Sequence, residues 1–349
     1  MMMKVLMIGG TGFISSNVVK LLVEEGHDVS LVTRGKSKIE LFDKNKVQFA
    51  YGDRHDKEFL NKLANENNYD VLYDMIAYTA DESQMVVEIF GGKVPRLIHT
   101  STISVYMVSD VVRNPIKEED DKYPLMKFWE RNPFGMQYGI DKRKCEDVLW
   151  KAHNEGKFEV SMIRAPYVCG PHDPMKRDYF WIQRVLDGKP LLIPGSGDFA
   201  SQHVFVEDLA KAFVDLLKYD ETKGKAYNIS SGEIFSLNDY LDALCTLLDK
   251  NPERVNVDLE VFEKLPFSMS LEGHAFPFNT YRTAIFSIDK AKKDLNFKST
   301  TFEKWMPGTI DWYLNVYKKP SVGYGDRSKE VEFVEKWKKY KRELIYKVT

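Results

Sequence analysis

Cysteine is scarce in this 349-residue chain: Cys145, Cys169 and Cys245 are the three present, far apart and without a CxxC pair. An odd, dispersed set argues against a disulfide framework and a structural zinc site, and it suits a reducing cytoplasm. Net charge is nearly absent too. Fifty Lys and Arg against fifty-two Asp and Glu leave -2, with pI near 6.4, so no overall positive field draws in nucleic acid or an anionic membrane. Long apolar runs are missing: nothing approaches the roughly 20 consecutive apolar residues that span a bilayer. The apolar opening Met1 to Ile8 stops at Gly9-Gly10 with no small-residue cleavage pattern, so it reads as a buried strand and not as a signal peptide. The histidines form no cluster with metal-ligand spacing; His99 and His203 read as core or surface residues, and no metal is expected. Ser104 and Ser161 lack a nucleophile-elbow glycine frame, which leaves hydrolase chemistry unsupported.

What is present is an ordinary globular composition, 43% hydrophobic and 29% charged. From residue 4 to about 165, short β-rich runs alternate with longer amphipathic ones. Strands are expected at Val5–Ile8, Val29–Val32, Phe49–Tyr51, Val71–Ile76, Arg96–His99 and Val160–Arg164, with helices between them, the first over Asn17–Glu25. That pattern predicts an α/β fold with a doubly wound parallel sheet and a ligand crevice beyond the carboxyl ends of its strands. After Pro166 the pattern loosens, apart from a helix near Val206–Leu217 and a strand at Tyr227–Ile229 that return to the sheet. The expected division is 1–169 with 201–234 for a nucleotide-binding domain, and 170–200 with 235–349 for a smaller, interleaved C-terminal substrate lobe. Lys329–Lys347 reads as a surface helix packing one face, in preference to an RNA-binding tail.

Gly9-Gly10-Thr11-Gly12-Phe13-Ile14-Ser15 joins the first strand to the first helix. Glycines there permit a tight turn and close approach of a pyrophosphate, while amides at the helix start supply anion donors, so the segment predicts dinucleotide binding. The second strand ends in Thr33-Arg34-Gly35-Lys36, where an NAD-selective site usually places a carboxylate for the ribose hydroxyl. A cation in that place pairs with a 2′-phosphate, which favours NADP over NAD. Tyr138 and Lys142 stand four residues apart, neighbours on one helical face. A phenol with an ordinary pKa near 10 needs adjacent positive charge to act as acid or base near neutrality. Lys142 is placed to supply it, downstream of the hydroxyl-rich strand end His99-Thr100-Ser101-Thr102.

Together with Gly52-Asp53, Val105-Tyr106, Arg164 to Pro171, Val206 to Ala210 and Ser287 to Lys292, these segments resemble an extended short-chain dehydrogenase/reductase of the NAD-dependent epimerase/dehydratase family. The resemblance runs nearly end to end and implies a Rossmann-type domain. It implies Thr102 as the hydroxyl that positions substrate, Tyr138 as acid/base and Lys142 as the cofactor-ribose ligand. It also places Gly9, Thr11, Gly12, Phe13, Ile14, Arg34, Gly35, Asp53, Arg54, Ile76, Ala77, Tyr78, Ser101, Ala165, Tyr167 and Val168 along the cofactor. The implied reaction is hydride transfer to or from NADP or NAD on a sugar or nucleotide-sugar, as epimerase or oxidoreductase. Dehydration is disfavoured, because Ile103-Ser104 replace the Asp-Glu pair of the family's dehydratases. Ser201 stands where many nucleotide-sugar epimerases carry a diphosphate arginine, which leaves Lys176, Arg177, Gln202 and Arg282 as substrate candidates. The stretch Phe276-Pro277-Phe278-Asn279 before Tyr281-Arg282 is similar to the chloroplast stem-loop binding protein branch. Two alternatives follow: an NADP-binding non-redox RNA-binding or regulatory protein, and an NADPH-dependent reductase of a small carbonyl compound. The resemblance further implies a homodimer formed through helices around Asp81–Phe90 and Tyr138–Ala152.

Overall fold

A strand that is apolar on every residue belongs in the middle of a sheet covered by helices on both faces. Val5 to Ile8 is such a run, with all four side chains fully buried. The computed structural model of the chain describes residues 2–37, 41–129, 135–262, 264–265, 276–278 and 282–349. Its strands in chain order are β1 (Lys4–Ile8), β2 (Asp28–Thr33), β3 (Val47–Tyr51), β4 (Val71–Asp74), β5 (Arg96–Thr102), β6 (Glu159–Ala165), β7 (Tyr167–Cys169), β8 (Leu191–Pro194), β9 (His203–Phe205), β10 (Lys225–Asn228) and β11 (Arg254–Val257). The helices are α1 (Phe13–Glu24), α2 (Lys57–Glu66), α3 (Ala80–Phe90), α4 (Ser104–Met107), α5 (Met136–Asn154), α6 (Arg177–Leu186), α7 (Val206–Asp215), α8 (Leu237–Leu248), α9 (Leu259–Phe262), α10 (Asp289–Leu295), α11 (Phe302–Asp311) and α12 (Arg327–Val348).

Seven strands form one sheet in the order β10-β6-β5-β4-β1-β2-β3. Each pairing is parallel, and Met7 of β1 stands opposite Leu31 of β2 on one side and Tyr73 of β4 on the other. Alternation along β1 assigns the two faces. Val5 and Met7 join Val18, Val19 and Leu22 of α1 and Leu209 and Phe213 of α7. Leu6 and Ile8 join Leu60 of α2, Val86 and Phe90 of α3 and Leu149 and Ala152 of α5. The winding reverses between β1 and β4, and loops leaving these neighbouring strands open the crevice expected of a doubly wound sheet.

The chain divides into two units, the first made of Met1–Val168, Val204–Gly232 and Phe286–Ser299. The last of these segments had been expected in the C-terminal lobe. It belongs with the sheet because α10 lies against β10, where the Asp294 carboxylate accepts from Lys225 Nζ (2.7 Å) and from the Tyr227 hydroxyl (2.9 Å).

The second unit comprises Cys169–His203, Glu233–Ile285 and Thr300–Thr349. Within it β8 and β11 pair in parallel, with Leu192 opposite Val255. Buried Arg184 of α6 pairs with Glu330 (3.1 Å), and Glu330 and Asp187 together hold buried Arg327 at the start of α12 (2.6 and 2.8 Å). Aromatic packing fills much of the rest: Tyr179 stacks on Tyr313 with ring centroids 4.7 Å apart, and Tyr240 lies against Phe278 at 4.8 Å. The Tyr240 hydroxyl donates to the fully buried Asp178 (2.9 Å). Burial, and next the neighbouring Asp173 charge, push the Asp178 carboxyl up to about 7. Helix α12 buries Arg327, Glu330 and Val334, but from Lys339 onward every residue is exposed, so it packs over its first half alone. No described helix is long and apolar enough to cross a membrane.

Candidate active site

The glycine turn sits at the switch point. Gly9 adopts φ +91°, in the left-handed region that glycine tolerates, and a Cβ there would stand 2.6 Å from Ile76 Cγ2. The loop after β4 therefore rests directly on the turn after β1. Gly12 caps α1 in extended conformation, and its amide donates to the Ser15 hydroxyl (2.9 Å). Ser15 thus occupies the third-glycine position and its hydroxyl accepts from the N-cap amide, a one-way cap because Gly12 has no side chain to return the bond. The opening amides of α1, at Phe13 and Ile14, have no acceptor one turn earlier within the helix, and with the helix dipole they form an anion site.

Thr11 and Thr33 share a hydrogen bond between hydroxyls (3.2 Å), which fastens the turn to the end of β2. The Gly35 amide also donates to the Thr33 hydroxyl (3.2 Å). Arg34, 64% exposed, reaches Asp53 beyond β3 at 4.0 Å. Hydrogen bonds from the His55 backbone and ring hold the Asp53 carboxyl below its ordinary value. Arg54, expected along the cofactor, is turned inward. It is 6% exposed and bonds Asp74 with both terminal nitrogens (2.9 and 3.3 Å), besides pairing with Glu82 (3.5 Å). Its guanidinium braces the end of β4, since a buried cation needs carboxylates around it.

The second half of the site comes from β5 and α5. Lys142 is 3% exposed, and its ammonium donates to the Ala77 carbonyl (2.7 Å), to the Thr100 carbonyl (2.5 Å) and to His99 Nε2 (3.1 Å). Burial holds the lysine below its ordinary pKa. One turn earlier, Tyr138 is 41% exposed, and its ring lies 6.5 Å from that of Tyr78 after β4. The Thr102 hydroxyl accepts from the Ser104 amide (3.2 Å) and lies within reach of the Ser104 hydroxyl (3.2 Å). Ser101 points to the other face of β5, where its hydroxyl donates to buried Glu146, so its side chain belongs to the network around Arg164. Ala165, Tyr167 and Val168 continue from β6, beside Thr102, which pairs with Ala165 in the sheet.

The turn, the β2 end, the loop after β4, Thr102, Tyr138 and Lys142 all fall in the first unit. The substrate candidates Lys176, Arg177, Gln202 and Arg282 fall in the second. There Lys176 Nζ donates to the Pro174 carbonyl (3.1 Å), Arg177 pairs with Asp173 (3.4 Å), Gln202 is buried and Arg282 is partly buried. Asn279 and Tyr281 lie outside the described residues.

Two contributors escaped the sequence reading. Gly139 lets α5 touch the backbone that follows Thr102, since a Cβ there would stand 2.6 Å from the Ser104 carbonyl oxygen. A glycine inside the Tyr-Lys helix was the available signal. His99 touches Lys142, which no local spacing announces.

The residues present fit a dinucleotide: a glycine cradle that a side chain would fill, an open helix start at the switch point and a cation at the β2 end. The sequence profile of the NAD dependent epimerase/dehydratase family matches residues 5–230. The chain is 30% identical over 308 residues to a chloroplast stem-loop binding protein of 41 kDa from Arabidopsis thaliana, covering 84% of this chain and 75% of that one. It is 26% identical over 357 residues to dTDP-glucose 4,6-dehydratase of Escherichia coli, covering 89% and 93%. Among solved structures, UDP-glucose 4-epimerase of Thermotoga maritima shares the fold with TM-score 0.70 and 20% identity, over 90% of this chain and 100% of that one. UDP-glucuronic acid 4-epimerase of Bacillus cereus, crystallised with NAD, gives 0.67 and 19% over 90% and 100%. The chain belongs to the NAD-dependent epimerase/dehydratase family.

Proposed function

We propose that the protein is an NAD(P)-dependent epimerase or oxidoreductase acting on a sugar or nucleotide-sugar by tyrosine-assisted hydride transfer. The observation that carries this reading is the pairing of an accessible Tyr138 with a buried Lys142 one turn away, beside the strand end that presents Thr102. A bound nicotinamide supplies the hydride acceptor or donor. Thr102 orients the substrate hydroxyl, and Tyr138 Oη takes its proton in oxidation and returns one in reduction. The Lys142 ammonium favours the phenolate and holds the cofactor ribose. Gly9, Thr11, Gly12, Phe13 and Ile14 hold the pyrophosphate, and Ile76, Ala77 and Tyr78 line the cleft. Arg34 favours NADP by pairing with a 2′-phosphate, in competition with Asp53.

The substrates named for the sugar-nucleotide relatives support a sugar class. Ile103-Ser104 after Thr102 support epimerisation or simple oxidation over dehydration. Three buried free cysteines suit the cytoplasm, and the homodimer through α3 and α5 that the family resemblance implies is tested by light scattering. The decisive experiment is a scan of free and nucleotide sugars for epimerisation or NADP⁺ reduction, repeated with Tyr138→Phe. Retained cofactor binding with turnover lost is expected; near-normal turnover in the variant removes Tyr138 from the mechanism. A non-redox RNA-binding role is the second reading, favoured by the 30% identical relative named for stem-loop binding. Tight, salt-dependent binding of a stem-loop RNA with no turnover on any sugar selects it.

A further inference from the structure

An ammonium has three N–H bonds, and all three of those on Lys142 are taken by protein acceptors: Ala77 O, Thr100 O and His99 Nε2. Because an ammonium only donates, His99 offers a bare Nε2 and carries its proton on Nδ1. That Nδ1 is buried and has no hydrogen-bond partner among the described residues, where the Lys142 contact is the imidazole's one hydrogen bond. Burial, reinforced by the Lys142 and Arg54 charges, keeps the ring neutral.

A fourth acceptor can join this ammonium only by replacing one of the three. The two carbonyls belong to the main chain of β5 and of the loop after β4, and their bonds are the shorter ones, 2.5 and 2.7 Å against 3.1 Å. The imidazole is on a side chain and has the longest bond. We propose that His99 is a positioning residue that holds the third N–H of Lys142 and yields it to a ribose hydroxyl when the dinucleotide binds. The inference rests on the reading of Lys142 as the ribose ligand.

This arrangement sets two properties against each other. Removing the acceptor with His99→Leu leaves a buried ammonium N–H without a partner, so the nucleotide-free protein unfolds at lower temperature. It also removes the competitor of the ribose, so NADPH binds with a Kd roughly three- to tenfold lower. A histidine that merely filled space would weaken both when removed. His99→Gln, which keeps an acceptor, stays near wild type in both.

The test is titration of nucleotide-free protein by NADPH fluorescence, with thermal unfolding alongside, for wild type, His99→Leu, His99→Gln, Lys142→Met and the His99→Leu/Lys142→Met pair. Tighter binding in His99→Leu that vanishes in the Lys142→Met background supports the exchange. Equal or weaker binding in His99→Leu, while Lys142→Met alone weakens binding, overturns it. Unchanged binding in Lys142→Met overturns the ribose role of the lysine and the exchange with it. If the leucine variant does not fold, ¹⁵N-histidine NMR of the wild type decides. The His99 Nε2 resonance should move toward that of an unbonded nitrogen as NADPH is added, and a stationary resonance refutes the proposal.

Discussion

Replacing Gly139 by alanine pits two effects of known size against each other. Inside a helix, alanine is preferred over glycine by about 1 kcal/mol, so on propensity alone the change stabilises. The new methyl, however, would stand 2.6 Å from the Ser104 carbonyl oxygen and 2.6 Å from Val108 Cγ1. The valine methyl can turn aside, but the carbonyl is main chain. The contact is roughly 0.8 Å short of the 3.4 Å at which ordinary packing begins, so α5 must back away from the segment after Thr102. Overpacking of this kind costs about 1–3 kcal/mol. The net is a loss of about 1 kcal/mol, or a fall in Tm of roughly 1–2 °C for a chain of 349 residues. Function should suffer more, because a displacement of about 1 Å of Tyr138 and Lys142 relative to Thr102 costs on the order of 100-fold in turnover. Gly308 in α11 is the control: among the described residues nothing lies within 4 Å of a Cβ built there, so alanine should stabilise by up to about 1 kcal/mol. Thermal unfolding of both variants, with NADPH affinity and turnover for Gly139→Ala, gives the comparison. If Gly139→Ala stabilises as Gly308→Ala does and works normally, the close approach of α5 is not what places Tyr138 and Lys142.

Arg34→Asp should shift the ratio of NADPH to NADH affinity by about tenfold toward NADH, and an unchanged ratio removes Arg34 from ribose recognition. Glu146 accepts from Arg164 Nε at 2.9 Å inside the sheet edge. Glu146→Ala, which leaves that buried cation short of a carboxylate, should cost about 3–5 kcal/mol in urea unfolding, and Glu146→Gln less; a loss under about 1 kcal/mol for the alanine variant contradicts the reading. Asp178, raised to about 7, binds its proton more tightly folded than unfolded. Its contribution to stability is therefore complete below about pH 4 and lost as pH rises through about 7. The stability of wild type relative to Asp178→Asn should fall across that window by a few kcal/mol, and a flat difference would show that burial does not raise this carboxyl.

The strands of the sheet were legible because runs such as Val5–Ile8 and Val71–Tyr73 are buried on both faces, which leaves a continuous apolar signature. The place of the glycine turn between β1 and α1, and of Tyr138 and Lys142 on one helix, could be read because each is a short spacing along the chain. Neither the inward turn of Arg54 nor the contact of His99 with Lys142 could be read in this way. Each depends on a partner 20 or more residues distant, Asp74 in one case and Lys142 in the other. The short pair β8 and β11 was hidden among prolines and glycines, where pairing across some 60 residues and not local pattern makes the strand. The return of Phe286–Ser299 to the sheet was likewise written in Asp294, an unremarkable surface acid until Lys225 and Tyr227 meet it.

The threading of the two units has a consequence for how the protein is made. The chain passes from one unit to the other after Val168, His203, Gly232, Ile285 and Ser299, so neither can be expressed as one continuous fragment. Strand β10 and helices α7 and α10 complete the sheet unit, yet they emerge from the ribosome only after intervening stretches of the second unit. A nascent chain halted before residue 299 carries the glycine turn, Tyr138 and Lys142 but still lacks part of the sheet unit. Arrested chains of increasing length should therefore acquire protease resistance in the sheet unit late in synthesis, long after Tyr138 and Lys142 have left the exit tunnel.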